Sequence, residues 1–278
     1  MATAPRALVL EEWMAERRPV ITLMTDFGEA DYYVGAMKGA ILTVNPQAEI
    51  VDLTHQVPPH DLYTAAFTLL CCYADFPKMT LHLVVVDPGV GTDRRPLLVM
   101  TDNYNFIGPD NGVFSYIYQR EHVNRIVHLN ETHYFRQPVS NTFHGRDVFG
   151  PCAGYVSKLV DWSKMGVEVS DPVRFNTPTP VVLSDKQIRG HVLHIDRFGN
   201  LITNITAAEL PMERARGARV RVGKHEAGRV LNTYGEANQG ELFAYFGSAG
   251  FLELAVPRQP AARLVEARRG LEVEVTLP

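Results

Sequence analysis

The chain has 278 residues, and 27 Lys plus Arg against 31 Asp plus Glu leave a formal charge of −4. That balance provides no basic excess to grip a polyanion, so nucleic acid is not an expected partner. A chain of this length buries roughly three quarters of its unfolded surface on folding, which is enough for a core without disulfides.

The first 19 residues contain no uninterrupted apolar segment of the signal-peptide kind and are read as an N-terminal extension. From Val20 the apolar runs VITLMT, EIVDLTH, LHLVVVD and PLLVMTDN alternate with the helical patterns DYYVGAMKGAILTV and DLYTAAFTLLCCYADF. This βαβ rhythm predicts an α/β domain over residues 20–169 with a mostly parallel sheet. Residues 113–119 and 147–161 read as further helices, with RIVHLN as a strand between them. Residues 170–184 hold three prolines and little helical periodicity, and read as a linker. Residues 185–278 change character. GHVLHID, LITNIT, RVRVG, ELFAYFG, FLELAV and LEVEVTL are short strand-like runs separated by turns, predicting a smaller antiparallel β-barrel-like domain. No apolar run approaches the roughly 20 residues a membrane-spanning helix needs, so no membrane association is expected. The three cysteines include the adjacent pair Cys71 and Cys72 and show no CxxC spacing. They suggest a reducing, cytoplasmic setting rather than a disulfide scaffold or zinc knuckle.

Ligands of open α/β sheets bind beyond the carboxyl ends of the strands, which directs attention to the polar residues ending each apolar run. After VITLM come Thr25-Asp26-Phe27-Gly28 and then Asp31. A carboxylate here can accept both hydroxyls of a ribose, or it can simply cap the next helix. After LHLVVV comes Asp87-Pro88-Gly89-Val90-Gly91-Thr92, then Arg94 and Arg95. Its glycines would let backbone N–H groups approach a ligand, but a P-loop lysine and a third Rossmann glycine are missing, and a plain Asp-Pro-Gly turn fits as well. His144, in Ser-Asn-Thr-Phe-His-Gly-Arg-Asp, offers an imidazole suited to proton transfer near neutral pH. No HxH, HExxH or HxxxH pairing supports a metal site. In the C-terminal region Asp196-Arg197-Phe198-Gly199-Asn200 and Gly247-Ser248-Ala249-Gly250, with Glu253 and Val256 beyond, place small polar residues between strands, as hairpin turns also do.

Together, TDFG with DYYVGAMKG, VVDPGVGT with Arg94, SNTFHGRDVFGP, IDRFGNLITNI and GSAGFLELA, in this order, resemble the S-adenosylmethionine hydroxide adenosyltransferases, relatives of the bacterial fluorinase and chlorinase. The resemblance runs from about Val20 to the C-terminus. It implies that Asp26 accepts the ribose hydroxyls, that Asp31, Asp196 and Ser248 face the methionine end, and that Phe198 and Asn200 line the adenine. Glu253 and the backbone near Val256 fall in the same binding segment. The hydroxide-using branch is marked by an Asp, Arg and His trio, which falls on Asp87, Arg94 and His144. The halogenases carry tyrosine, threonine and serine where this chain has Asp87, Val90 and Gly145, and the fluorinase has an arginine where this chain has Ala249.

The implied activity is hydrolysis of S-adenosyl-L-methionine to adenosine and L-methionine, with no metal and no second cofactor. The 5′ carbon bears a sulfonium leaving group, so attack by an anion annihilates charge, and a dry pocket makes that cheaper than water does. The alternatives are a halide-using enzyme and a non-catalytic sensor of S-adenosylmethionine or adenosine; a sensor would have no need of the trio. The resemblance also implies a homotrimer with its site at the subunit interface.

Overall fold

The computed structural model describes residues 18–278. The extension read over residues 1–19 lies almost wholly outside them. Contacts divide the described chain into a unit ending at Asn176 and a unit starting at Thr177.

The first unit begins with β1 (Val20–Thr25), α1 (Tyr33–Val44), β2 (Glu49–Thr54), α2 (Leu62–Cys72) and β3 (Leu81–Val85). It continues with β4 (Pro96–Thr101), β5 (Asn105–Pro109), α3 (Ile117–Arg120), β6 (Val123–Leu129), α4 (Gly150–Ser157) and β7 (Gly166–Glu168). The sheet order is β2-β1-β3-β5-β4-β6-β7. Pairing is parallel from β2 to β5 and antiparallel from β5 to β7. Helical crossovers through α1 and α2 link β1 to β2 and β2 to β3, and β3 reaches its parallel neighbour β5 by way of β4. β4 and β5 are joined by the short turn Asp102–Tyr104, which only an antiparallel pair can use. The helix expected over 113–119 is limited to the four residues of α3, and α4 is preceded by a π-helical turn over Gly145–Phe149.

Strand alternation sorts the core onto two faces. Ile21, Leu23, Leu81, Leu83 and Val85 pack with Met37 and Ile41 of α1 and with Phe149, Cys152 and Ala153. Met24, Val84 and Val86 pack with Leu69 of α2, Phe106 and Phe114. His82, on that second face, is fully buried and stacks on Phe106 at 5.2 Å. Its Nδ1 lies 2.8 Å from Thr22 Oγ1, and burial pushes the imidazole down to about 3. At the start of β4, Arg95 donates to Asp110 Oδ2 at 2.5 Å and to Asp171 Oδ1 at 2.8 Å. Asp110 Oδ1 accepts the Val173 N–H at 2.7 Å, so this cluster ties the 171–173 segment to the end of β5.

The second unit holds β8 (Val181–Ser184), β9 (Gln187–Ile195), β10 (Leu201–Thr206), α5 (Met212–Ala215), β11 (Arg219–Val222) and β12 (His225–Ala227). β13 (Phe243–Phe246), β14 (Phe251–Ala255), α6 (Ala261–Leu264) and β15 (Glu272–Thr276) complete it. The order is β12-β11-β15-β9-β10-β14-β13 with β8 also on β9, and every pair of strands is antiparallel. Val192, Leu201, Ile205, Val220, Leu252, Leu254, Val273 and Val275 form its core. β8 falls inside the stretch that reads as a linker in the sequence; its Val181 and Val182 are exposed and enforce no periodicity.

Candidate active site

In the first unit the carboxyl ends of β1 and β3 deliver Asp26 and Asp87 to one open pocket of about 410 Å³. Phe27, Tyr32, Tyr33, His60, Val90, Phe143, His144 and Gly145 share its lining.

Asp87 and Arg94 are nearly inaccessible, with 5 % and 9 % of their side chains exposed. Arg94 grips the carboxylate with two nitrogens: Nε lies 2.9 Å and Nη2 2.5 Å from Asp87 Oδ2. The same Nη2 lies 2.6 Å from His144 Nδ1, and the guanidinium carbon sits 5.0 Å from the centre of the Phe149 ring. Such a bidentate arginine is rigidly aimed. Burial first, and the Arg94 charge second, hold the His144 imidazole below its ordinary value, while Asp87 and Asp147 oppose this. A guanidinium has no acceptor, so Nδ1 accepts from Arg94 and neutral His144 carries its proton on Nε2.

Local sequence explains how the two loops meet. Gly91 has φ +79°, and a Cβ there would lie 2.3 Å from the carbonyl oxygen of Asn141, so only glycine lets the Asp87 loop rest on the His144 loop. The His144 loop is in turn held by Asp147, which is fully buried, accepts the Ser140 N–H at 2.9 Å and pairs with Arg146 Nε at 2.6 Å. Phe143 packs edge-on against Tyr33 at 5.2 Å and Phe27 at 6.0 Å. At Gly145 a Cβ would stand 3.3 Å from both the Phe27 ring and Met37 Sδ, leaving little room for a side chain.

Asp26 is largely buried and accepts the His60 N–H through Oδ2 at 2.9 Å. His60 occupies left-handed backbone, φ 66°, immediately before the Asp61 cap of α2. Asp31 is exposed and is not part of the lining.

The second unit carries its own open pocket, about 490 Å³, lined by Phe198, Asn200, Tyr234, Val256, Arg258, Gln259 and Pro260. Phe198 is 77 % exposed, an unusual condition for a phenylalanine. Asp196 stands behind this pocket as the organiser of its turn, accepting the N–H groups of Phe198 and Asn200. Glu253 is buried and bonded to Tyr245, and Ser248 is exposed; neither lines the pocket. Burial first, then the Asp196 charge, raises the Glu253 carboxyl above its ordinary range, with the Tyr245 hydrogen bond acting in the opposite sense. Among the described residues no three His, Cys, Asp or Glu side chains converge as a metal-binding group.

The family model described as the SAM hydroxide adenosyltransferase N-terminal domain matches residues 21–166, and its C-terminal counterpart matches residues 190–274. The chain belongs to this family. A relative from Methanocaldococcus jannaschii named (R)-S-adenosyl-L-methionine hydrolase is 32 % identical over 92 % of this chain and 95 % of its own length. A protein of the same name from Thermus thermophilus is 36 % identical over 93 % of this chain and 99 % of its own. A fluorinase from Nocardia brasiliensis is more distant, 25 % identical over 93 % of this chain and 97 % of its own. A crystal structure of an uncharacterized conserved protein from Thermotoga maritima superposes with a TM-score of 0.87 at 35 % identity, covering 92 % of this chain and 99 % of that one. Beyond the residues the family resemblance implied, the two pockets include His60, Tyr32, Tyr33 and Tyr234. Tyr32 and Tyr33 fall within the DYYVGAMKG segment already singled out in the sequence, and the pair Pro58-Pro59 marks the approach to His60, since it forces an irregular backbone there; Tyr234 carries no such signal.

Proposed function

We propose that this member of the family hydrolyses S-adenosyl-L-methionine to adenosine and L-methionine. The observation that carries this reading is the continuous Asp87–Arg94–His144 contact at the rim of the pocket that also receives Asp26. Asp26 accepts the ribose diol, and Phe198 and Asn200 take the adenine. Asp31, Asp196, Ser248 and the backbone near Val256 complete the binding set that the family resemblance implies, and Glu253, buried behind the pocket, supports that set without touching the ligand.

Arg94 stabilises hydroxide over water beside it, because a fixed cation in a site of low dielectric favours the anionic form. His144 donates its Nε2 proton to the nucleophile's oxygen and orients it. Asp87 keeps the guanidinium in place. Hydroxide then attacks the 5′ carbon, the carbon–sulfur bond breaks, its electron pair leaves on sulfur as methionine, and the new carbon–oxygen bond makes adenosine. The proton released in forming hydroxide passes to solvent.

Incubation with S-adenosylmethionine in oxygen-18 water tests this directly. Adenosine labelled at its 5′ oxygen is the expected product, and chloride or fluoride should yield no 5′-halo nucleoside. Absence of adenosine, with substrate still bound, would instead identify a sensor. The homotrimer with an interface site and the cytoplasmic location belong to the same proposal. Sedimentation of a fully active monomer would remove the trimer.

A further inference from the structure

A line of hydrogen bonds leads out of the Asn200 pocket into the core of the second unit. Asn200 Nδ2 lies 2.9 Å from Asp196 Oδ2 and 2.9 Å from the Tyr234 hydroxyl. The Tyr234 hydroxyl lies 2.7 Å from that of Tyr245, which bonds in turn to Glu253 Oε2. Donor chemistry gives this line a single direction. A carboxylate only accepts, so the Asn200 group facing Asp196 is the NH₂, and its second hydrogen goes to Tyr234. Tyr234, accepting there, gives its own proton to Tyr245, and Tyr245 gives its proton to the Glu253 carboxylate. Both amide hydrogens are thereby occupied, and the only part of the Asn200 side chain left for a ligand is Oδ1, an acceptor. Neither Tyr245 nor Glu253 lines the pocket, so their influence on a ligand passes through Tyr234 and Asn200.

We propose that Tyr234, Tyr245 and Glu253 are positioning residues that lock the polarity of the Asn200 amide, so that the pocket selects a 6-aminopurine over a 6-oxopurine. This rests on the adenine-binding reading given above. An exocyclic amino group donates to Oδ1, whereas an oxo group would set two acceptors against each other with no donor free to relieve them. The reacting nucleoside is thus checked for deamination at a point far along the chain from the trio.

The test is titration calorimetry of the full chain with adenosine and with inosine, accompanied by thermal melts. Adenosine should bind at least about thirtyfold more tightly than inosine, as expected for a site built around one hydrogen bond. Tyr234→Phe frees one amide hydrogen to face the pocket, so that ratio should fall roughly tenfold, mostly through improved inosine binding. Tyr245→Phe should act in the same sense by leaving the Tyr234 proton free to turn. Glu253→Gln keeps an acceptor oxygen for Tyr245 and should retain the wild-type ratio, while Glu253→Met should lose it. A purely structural role would lower the melting temperature of these variants without moving the ratio. Wild-type affinities within threefold of each other, or an unchanged ratio in folded Tyr234→Phe, would overturn the proposal and leave the hydrolase reading intact. Failure of both nucleosides to bind would remove the adenine-binding reading and this inference together.

Discussion

Arg94 Nη2 and His144 Nδ1 lie 2.6 Å apart although 50 residues separate them in the chain. The contact survives only while the imidazole is neutral, because protonation would turn Nδ1 from an acceptor into a second donor facing a cation. Activity should therefore fall on the acid side, with an inflection below the usual imidazole value of 6.5 because burial and Arg94 depress it. A pH profile of kcat/KM measures this. In an NMR titration of the ring, Arg94→Met should move the His144 inflection upward but not fully back, since burial is the larger cause.

Replacing members of the trio should separate chemistry from binding. Arg94→Met, His144→Ala and Asp87→Asn are each expected to lower kcat by roughly 10²- to 10⁴-fold while the affinity for S-adenosylmethionine changes much less. Near-normal turnover in all three variants would reduce the cluster to a structural ion pair.

Asp26→Ala should weaken S-adenosylmethionine and adenosine alike, by about 1.5–3 kcal/mol for a charge-assisted hydrogen bond. Calorimetry on the folded variant decides it. Because Asp26 also accepts the His60 N–H, Asp26→Asn is expected to preserve the loop better than Asp26→Ala does.

Gly145→Ser places an atom 3.3 Å from Phe27 and Met37. Overpacking of this kind costs about 1–3 kcal/mol, which a denaturant titration would register. The variant should still produce no 5′-chloro nucleoside from chloride, because Asp87 and Arg94 remain in place beside the pocket.

His82 supplies an acid-lability that belongs to the fold. Its folded-state value near 3 lies below the ordinary 6.5, so the unfolded chain binds the proton first. Stability from this group is complete above pH 6.5 and is lost as the pH falls toward 3, at up to about 1.4 kcal/mol per pH unit. In His82→Leu the pH dependence over that window should flatten by that slope, whatever the variant's absolute stability.

The sequence is most transparent where burial enforces a period. All six strand-like runs of the C-terminal region correspond to β9, β10, β11, β13, β14 and β15, and the helix pattern at Tyr33–Val44 to α1. β5 is hidden because NFIGP is short, buried after its first residue and broken by glycine and proline, so no alternation marks it. With β5 unseen, the antiparallel half of the sheet could not be inferred. Tyr234 and Tyr245 are equally opaque. One lies in a 3₁₀ turn and the other on a strand, and nothing local records that their hydroxyls meet.

Arg94 and Arg95 are neighbours with unrelated partners: the first serves Asp87 and His144, the second Asp110 and Asp171. Two identical side chains are told apart only by which way the backbone turns them at the entrance to β4. Inserting or deleting a single residue between Thr92 and Pro96 would therefore exchange one arginine for the other and disconnect both ion-pair clusters at once, although composition and net charge would scarcely change. Over this stretch the chain should tolerate many substitutions and almost no change of length.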